Sequence, residues 1–600
     1  MTGRIASPDR QDCLSSMRQR LVFWSLTLLC AASRFLAMAR SMWDWDEALF
    51  SLGMRGYDVT MHHPHPPGFP VYIGMAKLLR LVTSSDFRAL QAVNLIAGVL
   101  VFPGMFLLAR ELELRFETSA IAAALFAFFP NVWFFGGTAF SDVPSIVLVI
   151  FAVVFLLRGR ESARDYLVGT FLLALAIGIR PQNILIGLFP GLLATRRRSA
   201  RDIVVALLIG VIVVGLSYGA AIYATGSWDG YMNTVRAHSD YIARIDSFRA
   251  PTRPPLWRLF DRFFIKQYQS PPLSVLVSFL VAISIVGAIR GRDRKMLGNF
   301  LIFGPFAIAA WLMLDRFSIN RFSIGYAPMF AIFAADGIER ISRGSRAAES
   351  AIGAFVVACF VVWTLPGFTP VRRDVAPSVQ AVEAAVKAVN ASGGRLFVGY
   401  AMTPFIEYLA PSLEFTRVID DRAIPMGASD RAMLLAEVSS PYPGGTLPQP
   451  GRGTLFARDR ERLWNITRRH YFEVSLKPVT NVAQFGAGWY QPEQDGIDES
   501  RWMGAHSVTV LPGASGATVL RLNMSIPGEL VARNPTITVT LNGKTLERFR
   551  ATASEVSRDD HVKPLPASNL LEISTDQTIK EPGSPRDLGI RVRFIAWGPG

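Results

Sequence analysis

Eleven apolar runs of roughly bilayer-crossing length occupy residues 20–39, 89–109, 118–136, 141–157, 166–179, 183–195, 203–225, 272–289, 297–314, 322–338 and 350–367, and a shorter one lies at 68–83. Such a chain has few options. Inside a bilayer every backbone N–H and C=O must be satisfied within the segment, so repeated runs of this kind are helices. Half of the 600 residues are hydrophobic and 18% are charged, too apolar a mixture for one water-soluble globule. The expected fold class is a polytopic α-helical membrane protein of about 11 spans.

The formal net charge is +15, which in a soluble protein would suggest a nucleic-acid partner. Here much of the Arg and Lys sits in short loops between apolar runs: RELELR (110–115), RGRESAR (158–164), TRRRSAR (195–201), RGRDRK (290–295) and ERISRGSR (339–346). That distribution signals topology. The first apolar run follows Arg4, Arg10, Arg18 and Arg20 and lacks a small-residue cleavage site, so it is expected to stay as the first span behind a cytoplasmic tail, residues 1–19. With that tail inside, all five basic loops are inside only if 68–83 does not cross. The run is therefore expected to form a proline-headed helix on the outer face. The same count puts Trp43–Pro70, the turns GGTAFSDVPS (136–145) and IRPQN (179–183), the loop Gly226–Ser270 and the chain beyond Gly367 outside. The runs 166–179 and 183–195 are short and joined by a Pro-containing turn, a pattern suited to packing in protein.

Beyond the span region, 20–368, the pattern changes. Residues 369–480 alternate helical and strand patterns and predict an extracytoplasmic α/β domain. Residues 481–600 hold short alternating runs punctuated by Gly, Pro and Asn-Gly, the mark of a β-sandwich resembling a jelly roll. Cys13, Cys30 and Cys359 all precede these segments, so disulfides do not staple them.

The chemistry-bearing residues gather on the outer side. Asp44, Asp46 and Glu47 follow the first span between and after Trp43 and Trp45, which favour the interface. Carboxylates at a lipid boundary are candidates for a general base; the ordinary alternative is solvated acids. Next comes HHPHPPGFP, with His62, His63 and His65. Three imidazoles so close suit metal or phosphate contact, or a rigid proline-rich connector. Asp46, Glu47 and His65 are the candidate divalent-metal ligands, though the spacing matches no standard zinc motif. Asp142 opens a span as a candidate acid or helix N-cap. Arg180, Gln182, Arg316 and Arg321 are outer-face polar groups that could snorkel or meet an anionic lipid headgroup.

In order, WDWDEALF, HPHPPGFPVYIGMAKLL, SDVPS, IRPQ and RFSIGYAP resemble the GT-C superfamily of integral-membrane glycosyltransferases, in particular the dolichyl-phosphate-mannose protein mannosyltransferase and bacterial aminoarabinose transferase branches. The resemblance covers roughly residues 20–368. It implies an inverting transferase that uses a polyprenyl-phosphate sugar donor and a glycan, lipid or protein acceptor, with membrane lipid around it and no nucleic acid. By the same resemblance Asp46 is the base, Glu47 its neighbour and Asp142 the second outer acid. Arg180 and Arg321 would neutralise the leaving phosphate, and Asp44, His63, His65, Gln182, Arg316 and Tyr326 are substrate-binding candidates. Asp44 is an extra acid in the opening loop, which leaves three carboxylates competing for the role of base. FGAGWYQPEQDGIDESRWMG resembles a carbohydrate-binding-like sandwich; there Trp489, Tyr490, Glu493, Arg501 and Trp502 either stack on sugar or fill the core.

Two other classes compete. A sugar or lipid transporter would carry mid-membrane charge and inverted repeats; Arg34 lies within the first span, but no repeat is evident. A non-catalytic envelope scaffold would use only the sandwich, to bind glycan.

Overall fold

The computed structural model describes residues 8–245, 247–248, 255–265, 267–268, 270–313, 319–418, 432–437, 454–457, 473–478, 483–495, 498–514, 518–580 and 585–599. Arg316 lies outside the described residues, as does RDRERLWNITRR (458–469), a segment with a helical pattern within the expected α/β domain. The chain divides into two units, with the division near Val375.

The first unit is helical: α1 (Pro8–Arg34), α2 (Trp45–Arg55), α3 (Pro70–Leu79), α4 (Asp86–Glu111), α5 (Phe116–Phe128), α6 (Pro130–Phe135), α7 (Asp142–Arg158), α8 (Ala163–Ile179), α9 (Ile184–Thr195), α10 (Ala200–Thr225), α11 (Trp228–Ile245), α12 (Leu256–Phe260), α13 (Pro271–Gly291), α14 (Arg294–Met313), α15 (Ile319–Phe322), α16 (Ala327–Ile341) and α17 (Arg346–Arg373). Among the described residues six helical stretches are long and apolar enough to cross a membrane, beginning at Met17, Asp86, Ala200, Pro271, Arg294 and Arg346. The other apolar runs form shorter helices, α5 to α9 and α16. Helix α3 has 10 residues, about 15 Å at 1.5 Å per residue, half of a hydrocarbon core.

The basic loops also start helices. Ser162, Ser199 and Ser345 each accept a hydrogen bond from the backbone N–H three residues on, capping α8, α10 and α17. A side-chain oxygen there satisfies an N–H that the helix leaves orphaned. Helix α7 forms the centre, buried almost throughout and packed against α4, α8 and α9.

One run breaks where Pro130 opens α6. The broken turn is buried in protein, as non-helical backbone at membrane depth must be. Arg34 accounts for one freed acceptor: Nη2 donates to the Ala127 carbonyl at 2.7 Å and Nε to Cys30 O at 3.1 Å, with the guanidinium between Phe128 and Trp133. The charge inside the first span thus fastens a helix break.

The second unit begins with α18 (Pro377–Ser392). A 10-stranded sheet runs, strand by strand, through Glu555–Val562, Thr518–Ser525, Arg591–Pro599, Asp498–Met503, Thr416–Val418, Leu396–Gly399, Met433–Glu437, Glu473–Pro478 and Thr454–Ala457, with Trp489–Asp495 paired to Asp498–Met503. Its Leu396–Gly399 strand pairs parallel on both sides, as an α/β layer requires. A 5-stranded sheet orders Lys544–Arg550, Thr536–Leu541, Ser568–Thr575, His506–Pro512 and Gln484–Phe485. Met503, Leu520, Leu522, Ile537, Val539, Ile573 and Trp597 form one core, supplied by alternate residues of each strand. Asn542 and Gly543, at φ 51 and 77, make the two-residue hairpin turn that Asn-Gly favours. A four-residue helix, Gly528–Val531, interrupts a region expected to lack helices.

A Cβ on Gly137 would stand 2.0 Å from the Ala37 carbonyl oxygen, whereas one on Gly210 of α10 would meet nothing. Gly137→Ala is expected to cost at least about 1–3 kcal/mol by overpacking and to lower the melting temperature in detergent, and Gly210→Ala to leave it unchanged.

Candidate active site

The opening loop is held from below before any acid is placed. Ala39 N–H donates to Gly137 O and Arg40 N–H to Val371 O. Gln91 of α4 donates to both Ala39 O and Gly137 O at 2.9 and 2.8 Å, and Arg88 donates to Ala39 O and Arg40 O. Helix α2 then starts in a capping box. Asp44 is its N-cap and Glu47 reaches back to the Asp44 N–H, a reciprocal satisfaction of orphan donors.

Glu47 carries a second duty. Its Oε2 accepts from Trp43 N–H at 2.6 Å and Asp44 N–H at 3.1 Å, and its Oε1 from Ala139 N–H at 2.9 Å. Burial pushes its carboxyl up to about 8 against the pull of these donors. The side chain is a brace between the opening loop and the 137–139 turn, with every oxygen committed. Of the opening acids, Asp46 enters a cluster of side-chain charges through an ion pair with Arg321.

That cluster is assembled from four parts of the chain. Arg321, on the single turn α15, donates from Nη1 to Asp46 Oδ2 and places Nε 3.5 Å from Asp142 Oδ2. Arg180, at the C-terminal end of α8, sets Nη2 2.8 Å from the same Asp142 oxygen and donates from Nε to Ser141 Oγ at 3.1 Å. Asp142 stands in the first turn of α7, the end of a helix that favours negative charge. The sequence order Asp46, Asp142, Arg180, Arg321 becomes an alternating spatial order, Asp46–Arg321–Asp142–Arg180. All four side chains are 5–11% exposed, so the charges are desolvated and bound to one another. Phe140 and Phe322 flank Arg321, and Phe69 and Phe322 flank Arg180.

Not every donor is spent. Arg180 Nη2 and Arg321 Nε are buried without an aligned hydrogen bond, as is Asp142 Oδ2; the contacts between them are ion pairs of poor direction. Burial lowers Arg180 below the usual guanidinium range although Asp142 works against this. Burial also opposes the charge of Arg321, yet Asp46, then Asp142 and Asp44, outweigh it and hold its pKa above the usual value.

His65 borders this cluster. Its ring lies 5.4 Å from Phe50, 4.8 Å from Phe69 and 6.4 Å from His238. Burial pushes its pKa down to about 3; Asp46 raises it, and Arg321, His238 and Arg180 lower it. The loop around it is clamped by tyrosines: Tyr231 donates to Pro67 O at 2.8 Å and Tyr57 to Gly68 O at 2.9 Å.

The remaining candidates go elsewhere. His63 pairs by its backbone with Asp58, and Gln182 is half-buried in the 3₁₀ turn after Arg180. Tyr326 is buried and stacked on Phe263 at 4.8 Å, lining a small cavity with Leu259, Phe263, Ala310, Trp311, Phe322 and Ser323. The candidate metal ligands do not fit a divalent cation: Glu47 is committed to three N–H groups and Asp46 to Arg321, and the charges of Arg321 and Arg180 oppose a positive charge at His65. Among the described residues no group of three His, Cys, Asp or Glu side chains is placed to hold a metal.

In the second unit, Trp489 Nε1 donates to Val508 O and Thr509 Oγ1, and Tyr490 exchanges hydrogen bonds with the Asp587 backbone. Trp502 Nε1 donates to Glu493, which also pairs with Arg586, and Arg501 lies over Phe485. These contacts tie the half-buried aromatic side chains to neighbouring strands.

Sequence reasoning passed over Ser141 and His238. The latter had a signal: Tyr231, Val235, His238 and Ile242 recur at helical spacing along α11, and that face is the packed one.

Residues 62–218 match the family model described as dolichyl-phosphate-mannose-protein mannosyltransferase. The likeness read from the motifs is met on this stretch, which carries His65, Asp142 and Arg180 but not Asp46 or Arg321. No curated protein matches the sequence as a relative. Among solved structures, an Archaeoglobus fulgidus oligosaccharyltransferase in complex with zinc and sulfate is similar with a TM-score of 0.43 at 10% identity, covering 96% of this chain and 97% of that one. ArnT from Cupriavidus metallidurans bound to undecaprenyl phosphate gives 0.47 at 13%, covering 77% and 98%. The mycobacterial arabinofuranosyltransferase AftD gives 0.46 at 12%, covering 97% and 59%.

An unfolded histidine protonates near 6.5, whereas His65 resists until about 3. Its contribution to stability is therefore complete above about pH 6.5 and is lost as pH falls below it, at up to about 1.4 kcal/mol per unit. The melting temperature of the wild type is expected to fall further between pH 7 and 5 than that of His65→Gln.

Proposed function

We propose that the chain is an inverting glycosyltransferase. It moves a sugar from a polyprenyl-phosphate-linked donor to a glycan, lipid or protein acceptor at the outer face of the inner membrane. The observation that carries this reading is the buried Asp46–Arg321–Asp142–Arg180 cluster, in which a carboxylate stands beside two arginines with N–H groups still to spend. In this reading about eleven spans, residues 20–368, carry the catalytic part, and the α/β and sandwich segments, 369–480 and 481–600, lie outside.

The chemistry follows from charge. The acceptor hydroxyl attacks the anomeric carbon as the carbon–oxygen bond to phosphate breaks. The bonding pair leaves with the polyprenyl phosphate, and the hydroxyl proton passes to the Asp46 carboxylate. A hydroxyl nucleophile needs such a base, and the developing phosphate charge needs fixed donors in a dry site. Arg180 and Arg321 supply these as planar forks suited to phosphate oxygens, and their aromatic walls keep them in place. Asp142 holds both guanidiniums before the lipid arrives, and Glu47 positions α2 so that Asp46 faces them.

The outer location is supported by helix direction. Asp142 and Arg158 cap opposite ends of α7, and the Arg158 end joins the ion pairs of the basic loops, Arg158–Glu111, Arg115–Glu339 and Arg340–Asp293. Positive-inside topology assigns that end to the cytoplasm.

The test is release of undecaprenyl phosphate from a panel of undecaprenyl-phosphate sugars by the purified full chain. Asp46→Asn is expected to cut turnover by at least about 100-fold while the protein stays folded, since Arg321 keeps Asp142. Arg180→Ala is expected to weaken donor use. Turnover in Asp46→Asn equal to wild type would overturn the assignment of the base, and no turnover with any donor would overturn the reading itself.

A further inference from the structure

The His65 side chain is built into the site without a hydrogen bond among the described residues. The residue is half-buried, and its Nδ1 is fully buried with no partner. The ring is not loose. Phe50 and Phe69 grip it, and the carbonyls of the Pro67–Gly68 turn that follows are tied to Tyr231 and Tyr57. A rigid, buried, unsatisfied nitrogen is a group waiting for a polar partner.

The partner's chemistry follows from the surroundings. The ring shares the Phe69 wall with Arg180 and lies 6.4 Å from His238; burial between two phenyl walls, opposed by Asp46 and aided by the charges of Arg321, His238 and Arg180, keeps the imidazole neutral. A neutral imidazole presents one N–H and one lone pair, a poor match for a phosphate already served by arginines. It is a good match for a hydroxyl, which both gives and takes a hydrogen bond. Its place decides which hydroxyl. In a displacement with inversion, nucleophile and leaving group flank the anomeric carbon from opposite sides. A residue that borders both the Asp46 base and the Arg180–Arg321 phosphate site lies alongside the sugar ring.

Resting on the transferase reading, we propose that His65 is a specificity-determining residue that binds a hydroxyl of the transferred sugar through Nδ1. It acts on the glycosyl unit and leaves the lipid phosphate to the arginines.

The experiment measures binding of undecaprenyl phosphate, and of its hexosyl and pentosyl esters, to the full chain in nanodiscs, for wild type, His65→Ala and His65→Asn. The expected result is tighter binding of one glycosylated lipid than of bare undecaprenyl phosphate by wild type. His65→Ala should lose about tenfold for that lipid and less than about twofold for undecaprenyl phosphate. His65→Asn, whose carboxamide oxygen stands close to the Nδ1 position, should restore part of the loss, which a purely structural role would not produce. Equal losses for both lipids, or no loss for either, overturn the proposal and leave the transferase reading standing. Wild type that binds neither lipid overturns that reading and this proposal with it.

Discussion

Asp46 and Arg321 stand 275 positions apart in the sequence and meet as a buried ion pair. Taking two charges out of water is expensive, and removing one partner of such a pair typically costs about 3–5 kcal/mol, so the rest of the unit has to hold them in register. It does so with hydrogen bonds to the loop backbone below and phenyl rings around. Gln91, Arg88 and Glu47 fix the backbone on which Asp46 sits, and Phe140 and Phe322 enclose Arg321. Asp142 then joins Arg321 to Arg180, and the N-terminal ends of α2 and α7, the C-terminal end of α8 and the turn α15 are bound into one electrostatic unit.

This arrangement separates two uses of acid that look alike in WDWDEALF. Asp44 serves the helix start, Glu47 serves three backbone N–H groups, and Asp46 pairs with Arg321 where the proposed base would stand. The same division runs through the arginines. Arg34 fastens a helix break through Nη2 and Nε while its Nη1 stays buried without a partner, Arg88 serves loop carbonyls, and in the acid–arginine cluster Arg180 and Arg321 keep buried N–H groups without aligned partners. A phosphate entering between them would gain aligned donors that the cluster leaves idle, which gives the proposed donor a physical reason to bind where the base stands.

Much of the architecture is legible in the sequence because it depends on local rules. Apolar length gives the long helices, serines after arginine-rich loops give their caps, and Asn-Gly gives the 542–543 hairpin. The 68–83 run is readable as a short helix from charge balance alone, and α3 is 10 residues long. Five other runs expected to be spans form helices shorter than the six long ones, because prolines such as Pro130 and turns such as Arg180–Asn183 interrupt apolar stretches that hydropathy alone runs together. That these acids and arginines gather at one set of helix ends is readable from topology, but not which acid meets which arginine. That depends on contacts between elements hundreds of residues apart. The Asp44-x-x-Glu47 spacing does carry a capping-box signal, and that signal by itself assigns Asp44 and Glu47 to the helix start and sets them apart from Asp46, which pairs with Arg321.

The account stands or falls on where the lipid phosphate goes. The most direct measurement is a cryo-electron microscopy structure of the full chain in nanodiscs with undecaprenyl phosphate. The account predicts phosphate density within hydrogen-bond distance of both Arg180 and Arg321, with Asp142 still between them and Asp46 facing the open side. Phosphate bound at the basic loops or anywhere else, with the four-residue cluster undisturbed, would contradict it.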